Sequence, residues 1–147
     1  MKKTLISILL SLLIGSVFGY IVFRNIDNNI EAAFFGTKEL TFFQAGIFLN
    51  KENAYEFASS FANATVIEEN DFYRVYISIL RDPVSVDIMK AHFDSQDLTY
   101  YLRRVSIREN NFTKELPKYE AVLLNATKDS TFELINEKIL NLFKESA

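Results

Sequence analysis

The side chains able to carry chemistry are few. One histidine, His92, and no cysteine occur among 147 residues. That excludes a disulfide scaffold, a thiolate metal site, a cysteine nucleophile, an acylated lipoprotein cysteine and any multi-histidine metal centre. His92 falls in a stretch of helical periodicity without a ligand partner at helical spacing, so it reads as a surface or half-buried histidine. Glu68 and Glu69 are adjacent carboxylates, but neighbours on a strand point to opposite faces, so they make a poor acid/base pair and read as a solvated edge. The chain has no glycine-rich phosphate loop, nucleophile elbow or metal-spaced cluster. No catalytic residue, metal or cofactor is therefore expected, and an enzyme is the least expected class. The Asn-x-Ser/Thr tripeptides at Asn63, Asn111 and Asn125 would matter only in a eukaryotic secretory context. Binding chemistry is better represented: Phe72, Arg74 and Tyr76 alternate along one stretch, and Gln44 sits between Phe42, Phe43 and Phe48.

The elements that must position these groups follow from periodicity. Leu40 to Leu49, rich in aromatic and β-branched residues, has the length of a strand. Asn50 can cap a helix over residues 51–63, where Ala54, Phe57, Ala58 and Phe61 form one apolar stripe. Thr65 to Glu69 reads as a strand, Asn70-Asp71 as a tight turn and Phe72 to Leu80 as the partner strand of a hairpin. Asp82-Pro83 is an N-cap followed by proline at the first helical position, and Ile88, Met89, Ala91 and Phe93 give the next helix its apolar face. Leu98 to Val105 reads as the last strand. The order β-α-β-β-α-β is the split-βαβ pattern, an α+β fold with a four-stranded antiparallel sheet, both helices on one face and the other face open. Two extra C-terminal helices follow. One begins near Thr113 with Pro117 in its first turns and the stripe Leu116, Tyr119, Leu123. The other opens on a capping box, Ser130 and Glu133, and carries Phe132, Ile135, Ile139, Leu142 and Phe143 on one side. They are expected to pack back on the domain, with docking to a partner as the alternative.

Alternation along the strands assigns the faces. In the first strand Phe43, Ala45 and Ile47 fall on one side and Phe42, Gln44 and Gly46 on the other. In the third, Tyr73, Val75, Ile77 and Ile79 form the core set, which turns Phe72, Arg74, Tyr76 and Ser78 outward. In the last strand either Tyr100, Leu102 and Arg104 or Tyr101 and Arg103 face outward. The open face is thus expected to present Phe42, Gln44, Phe72, Arg74 and Tyr76, joined by Leu102 on the first of those alternatives.

Hydrophobicity is concentrated at the start, where residues 4–23 contain no charge and, at about 1.5 Å per helical residue, would span the hydrocarbon core of a bilayer. Lys2 and Lys3 precede the run, which predicts a cytoplasmic N-terminus and an extracytoplasmic remainder. A cleaved signal peptide is the rival, but the apolar run is long for one and no small-x-small site follows it closely. Gly15 and Gly19 form a Gly-x-x-x-Gly pair that would also serve helix dimerisation. The implied organisation is an anchor over residues 1–24, a linker over 25–39, a domain over 40–107 and a helical extension over 108–147. Without Lys2, Lys3 and Arg24, 13 basic residues face 19 acidic ones, a net charge of −6. That disfavours nucleic acid or an anionic membrane surface as the main partner.

Three short motifs in order carry a family resemblance: Phe43-Gln44-Ala45-Gly46-Ile47-Phe48, then Asn50-Lys51-Glu52-Asn53-Ala54, then Tyr73-Arg74-Val75-Tyr76. Together they make residues 40–107 resemble the SPOR (sporulation-related repeat) domain. The resemblance implies a membrane-anchored bacterial cell-envelope protein that binds peptidoglycan, preferring glycan strands stripped of their stem peptides at division or sporulation septa, in company with divisome or sporulation proteins. It also implies that Gln44 lies on the glycan-binding face. A sugar polymer suits such a face, since its C–H surfaces stack on aromatic rings and its hydroxyl and N-acetyl groups need an amide-like donor and acceptor. Removing stem peptides leaves the lactyl group of N-acetylmuramic acid as a free carboxylate, which Arg74 can pair with through two hydrogen bonds. Two other readings remain. An RNA-binding domain shares the element order but expects a basic surface and no anchor. A degenerate SPOR-like module without glycan binding would serve protein interaction in a cell-envelope complex.

Overall fold

The structure, a computed structural model, describes residues 36–146. The apolar run of residues 4–23, and with it the expected transmembrane helix and its glycine pair, lies outside the described residues. Among the described residues no helix is long and apolar enough to cross a membrane. Lys38–Ala147 form one compact unit.

The elements are β1 (Thr37–Phe48), α1 (Lys51–Ala58), β2 (Thr65–Glu69), β3 (Phe72–Leu80), α2 (Pro83–Ser95), β4 (Tyr101–Arg108), α3 (Asn111–Leu123) and α4 (Asp129–Ser146). The four strands form one antiparallel sheet in the order β2-β3-β1-β4, as the split-βαβ pattern requires. Local chemistry explains the boundaries. Asn50 and Asp82 cap α1 and α2 by accepting from the Asn53 and Ser85 backbone N–H groups. α1 stops at Ala58, short of the expected Asn63, where the Ser59 and Ser60 hydroxyls donate to the Glu56 and Phe57 carbonyls and compete with the next helical turn. Asn70 and Asp71 adopt φ of 51° and 63°, the twin left-handed pair of a type I′ hairpin turn. β4 begins at Tyr101, later than Leu98, because Asp97 turns at φ 55° and the Tyr100 ring is drawn against Phe43 and Phe93.

The C-terminal helices start differently from expectation. The capping box belongs to α3, where Asn110 accepts from the Thr113 backbone N–H and Thr113 Oγ1 accepts from that of Asn110. Ser130 lies inside α4, which opens at Asp129, so the Ser130/Glu133 offset does not cap a helix.

Phe43 packs against Phe93 of α2, and Phe48 against Phe57 of α1, so both helices cover one face as expected. The other face is not fully open. Phe42 meets Tyr76 edge-on at 4.9 Å, Phe143 of α4 stands on Phe42 at 5.6 Å, and Phe112 of α3 backs Phe143 at 5.1 Å. β2 is the reason α4 finds room. It ends at Thr65, opposite Tyr76, so beyond that point β3 has no strand neighbour on that edge. Asn136 of α4 fills the gap by donating Nδ2 to the Ile77 carbonyl at 2.6 Å, satisfying a group whose burial would otherwise cost about 1–3 kcal/mol. Glu120 of α3 closes the end of the same strand, accepting from the Arg81 and Asp82 N–H groups at 2.6 and 2.7 Å. Phe112, Leu116, Leu123, Ile135 and Ile139 join Leu40, Phe43 and Ile77 in one core, so residues 108–147 build the domain's interior along with 40–107.

Candidate functional site

What α3 and α4 leave uncovered is the lower half of the second face, and every strand contributes to it. β1 brings Gln44, β2 Glu69, β3 Arg74 and β4 Arg103. The hairpin turn sets Glu69 opposite Phe72 and Ile67 opposite Arg74, which leaves Glu69 and Arg74 diagonal on one face. Glu69 Oε2 lies 2.7 Å from Arg74 Nε and accepts from Arg103 Nη1 at 2.6 Å. Arg74 Nη1 donates to Gln44 Oε1 at 2.9 Å, and Arg103 Nη1 also donates to the Tyr76 phenol oxygen at 2.6 Å.

The electrostatics follow from this sharing. The hydrogen bond from Arg103, reinforced by the charges of both arginines, holds the Glu69 carboxyl below its ordinary pKa despite some burial. The same bond raises that of Arg103. Burial pushes the Tyr76 phenol up, against the opposing pull of Arg103. Two guanidinium groups against one carboxylate leave the cluster net positive. Within it Arg74 donates Nη1 to Gln44, while its Nε faces the Glu69 carboxylate as an ion pair without a hydrogen bond.

A bulge sets the rim. The β1–β3 pairing is irregular between Phe43 and Gly46, and past it the strand's parity is reversed. Ile47 therefore stands opposite Arg74, on the cluster's face, while a Cβ on Gly46 would run into Phe48 and Phe57 on the helix side. Both residues sit on the side opposite to that given by simple alternation. Phe72, Ile47 and Tyr101 remain exposed around the cluster, Tyr101 most of all at 71%.

The sequence-predicted residues divide accordingly. Gln44, Arg74 and the hydroxyl end of Tyr76 come together, with Phe72 at the rim. Phe42 and Tyr76 are buried, 4% and 1% exposed, Phe42 under Phe143 of α4 and Tyr76 against Phe42, so neither ring is free to stack on a ligand. Leu102 is not part of the site: it lines a groove across the sheet with Pro83, Val86, Lys90 and Arg104. Of the two alternatives for the last strand, the one placing Tyr101 and Arg103 on the second face is the one observed. Glu69 was read as a solvated edge and is instead the hub of the cluster. Its role was legible in the hairpin register, since a two-residue turn fixes both partners. Arg103 was legible only as one of two parities.

No protein-family model and no curated protein matches the chain. Among solved structures, it aligns with the solution structure of the peptidoglycan binding domain of the B. subtilis cell wall lytic enzyme CwlC, at 22% sequence identity and a TM-score of 0.39. That alignment covers 46% of this chain and 91% of the other.

Among the described residues no group of three His, Cys, Asp or Glu side chains is placed to hold a metal ion. His92 is buried and fixed: its ring stacks on Phe132 at 4.7 Å, with Asp129 Oδ1 3.5 Å from Nδ1 and Gln96 Nε2 3.2 Å from Nε2. It is an aromatic wall of the interior, more enclosed than the sequence suggested.

Proposed function

We propose that the chain is an extracytoplasmic peptidoglycan-binding protein, anchored in the cell membrane by residues 4–23, that reads glycan strands at septa in division or sporulation and performs no catalysis. The observation that carries this reading is the Gln44–Arg74–Glu69–Arg103 cluster on a sheet face rimmed by Phe72 and Tyr101. An amide and two guanidinium groups beside exposed aromatic rings match a polymer of N-acetylated sugars. The three motifs that resemble the SPOR domain support the same reading. Arg74 and Arg103 favour strands without stem peptides, because each exposed lactyl carboxylate is a partner for a guanidinium.

A second reading draws on a specific observation. α4 buries Phe42 and the Tyr76 ring, which reduces the stacking surface and favours an interaction module of an envelope complex. One experiment separates them. The purified full chain is co-sedimented with insoluble sacculi, untreated and amidase-treated, beside Gln44→Ala and Arg74→Ala. Glycan reading requires binding that rises after amidase treatment and falls in both variants. A well-folded wild type that stays in the supernatant with both sacculi supports the interaction module.

A further inference from the structure

On the helix-covered side, away from the sheet-face cluster, the segment of residues 60–63 that follows α1, together with β3, α2 and α4, lines a cavity of about 260 Å³. Its interior is apolar: Ile77, Met89, Phe93, Phe132, Phe61 and Leu98 line it. Its mouth is polar, with Ser60, Asn63, Gln96 and Glu133. The His92 ring, pinned at both nitrogens and stacked on Phe132, gives it a rigid flat wall. An apolar interior, a polar rim and a few placed hydrogen-bonding groups are the features of a small-molecule pocket.

Asn136 carries the argument further. It is 4% exposed and lines the cavity. Its Nδ2 is committed to the Ile77 carbonyl, while its Oδ1 has no hydrogen-bond partner. A buried acceptor without a donor is costly, and the domain tolerates it in the wall of this cavity.

We propose that the cavity binds a small planar aromatic molecule, on the order of ten heavy atoms, that carries one N–H or O–H donor. Its ring lies against the His92–Phe132 stack and its donor satisfies Asn136 Oδ1. This site is independent of the glycan reading.

The two methionines provide the assay. In the full chain labelled with ¹³C-methyl methionine, Met1 and Met89 are the labelled methyls, and Met89 is fully buried in the cavity wall. Indole, which has the ring and the donor, is titrated against indene and 1-methylindole, which keep the ring and lack the donor. The expected result is a saturable shift of the Met89 signal with indole, with affinity about fivefold or more above either donor-free probe, as a hydrogen bond to a buried acceptor requires. In Asn136→Leu the preference falls to near unity. The probe comparison on the wild type stands alone should that variant fail to fold. A Met89 signal unmoved by millimolar indole, equal affinity for indole and indene, or a preference that survives in Asn136→Leu would overturn the proposal.

Discussion

Glu69→Gln distinguishes a working site from an inert ion-pair cluster, because only a working site predicts that binding strengthens while stability falls. Glu69 Oε2 engages Arg103 Nη1 at 2.6 Å and Arg74 Nε at 2.7 Å, on side chains that are only partly buried. The substitution keeps the shape and removes the charge. Partly exposed pairs are worth about 0.2–1 kcal/mol each, so the loss of both destabilises the domain by about 0.5–2 kcal/mol, measured as the shift of a urea midpoint. Binding should move the other way. With the carboxylate gone, two guanidinium groups lose their internal anion and a lactyl carboxylate takes its place. Affinity for soluble denuded strands, followed by fluorescence anisotropy, should then rise about three- to tenfold, or about 0.7–1.4 kcal/mol. Affinity for strands with intact stem peptides, where the lactyl group is an amide, should stay unchanged. Weakening for both ligands, or an equal gain for both, refutes the role assigned to the arginines. The pH dependence adds a check. Arg103 holds the Glu69 pKa below the ordinary glutamate value, so this carboxylate contributes its full stability above the unfolded pKa and the contribution is lost as pH falls through the folded value. The stability gap between wild type and variant should close on acidification through and below the ordinary carboxylate range.

Phe112→Ala tests whether α3 is part of the core: the ring is fully buried and edge-on to Phe143 at 5.1 Å, so the cost is about 3–5 kcal/mol in urea unfolding, and a loss under about 1 kcal/mol would make the helix an appendage. Gly46→Ala places a Cβ 2.7 Å from Phe48 Cε2 and 3.0 Å from Phe57 Cε1; displacing both rings should cost about 1–3 kcal/mol, and a neutral result would mean that the bulge does not hold Gly46 against α1. Glu120→Gln probes a carboxyl whose pKa is raised chiefly by burial. Because the folded value lies above the unfolded one, stability from this group is full below the unfolded pKa and declines as pH rises through the folded pKa. The glutamine variant retains an acceptor for the Arg81 and Asp82 N–H groups, so its urea midpoint should gain on the wild type from pH 4 to 8, and a pH-independent difference would refute the assignment.

The frame of this fold was legible because its signals are local. The hairpin from Thr65 to Leu80 matches the structure residue for residue, since Asn-Asp at the turn joins two strands rich in β-branched and aromatic residues and fixes their register. The caps at Asn50 and Asp82 were legible for the same reason. Two kinds of feature were not. A bulge between Phe43 and Gly46 reverses alternation without any change in composition, so Ile47 and Gly46 exchange faces unannounced. The covering of Phe42 and Tyr76 depends on where α4 lands, and that is decided by a strand that stops at Thr65 and a carbonyl at Ile77 left for Asn136, 59 residues away in sequence. A helical stripe shows that a face must be buried and carries no record of the surface it will cover.

The same topology determines what a ligand must do on arrival. β2 and β4 are the two edges of the sheet, three strand spacings or about 14 Å apart, yet Arg103 and Glu69 meet at 2.6 Å. Each side chain must therefore lie extended along the face, and the pair bridges β3 and β1 between the edges. A polymer approaching Gln44 and Arg74 meets this bridge first. A neutral sugar cannot open it, since hydroxyl groups do not match the charge-assisted bonds they would displace. A carboxylate can, by exchanging one anion for another around the same guanidinium groups at little net electrostatic cost. On this argument the Glu69–Arg103 pair is a selectivity element as well as a brace. In the proposed glycan reading it yields only to a strand that brings its own carboxylate, which is why Glu69→Gln should strengthen binding to denuded strands and leave binding to amide-capped ones unchanged.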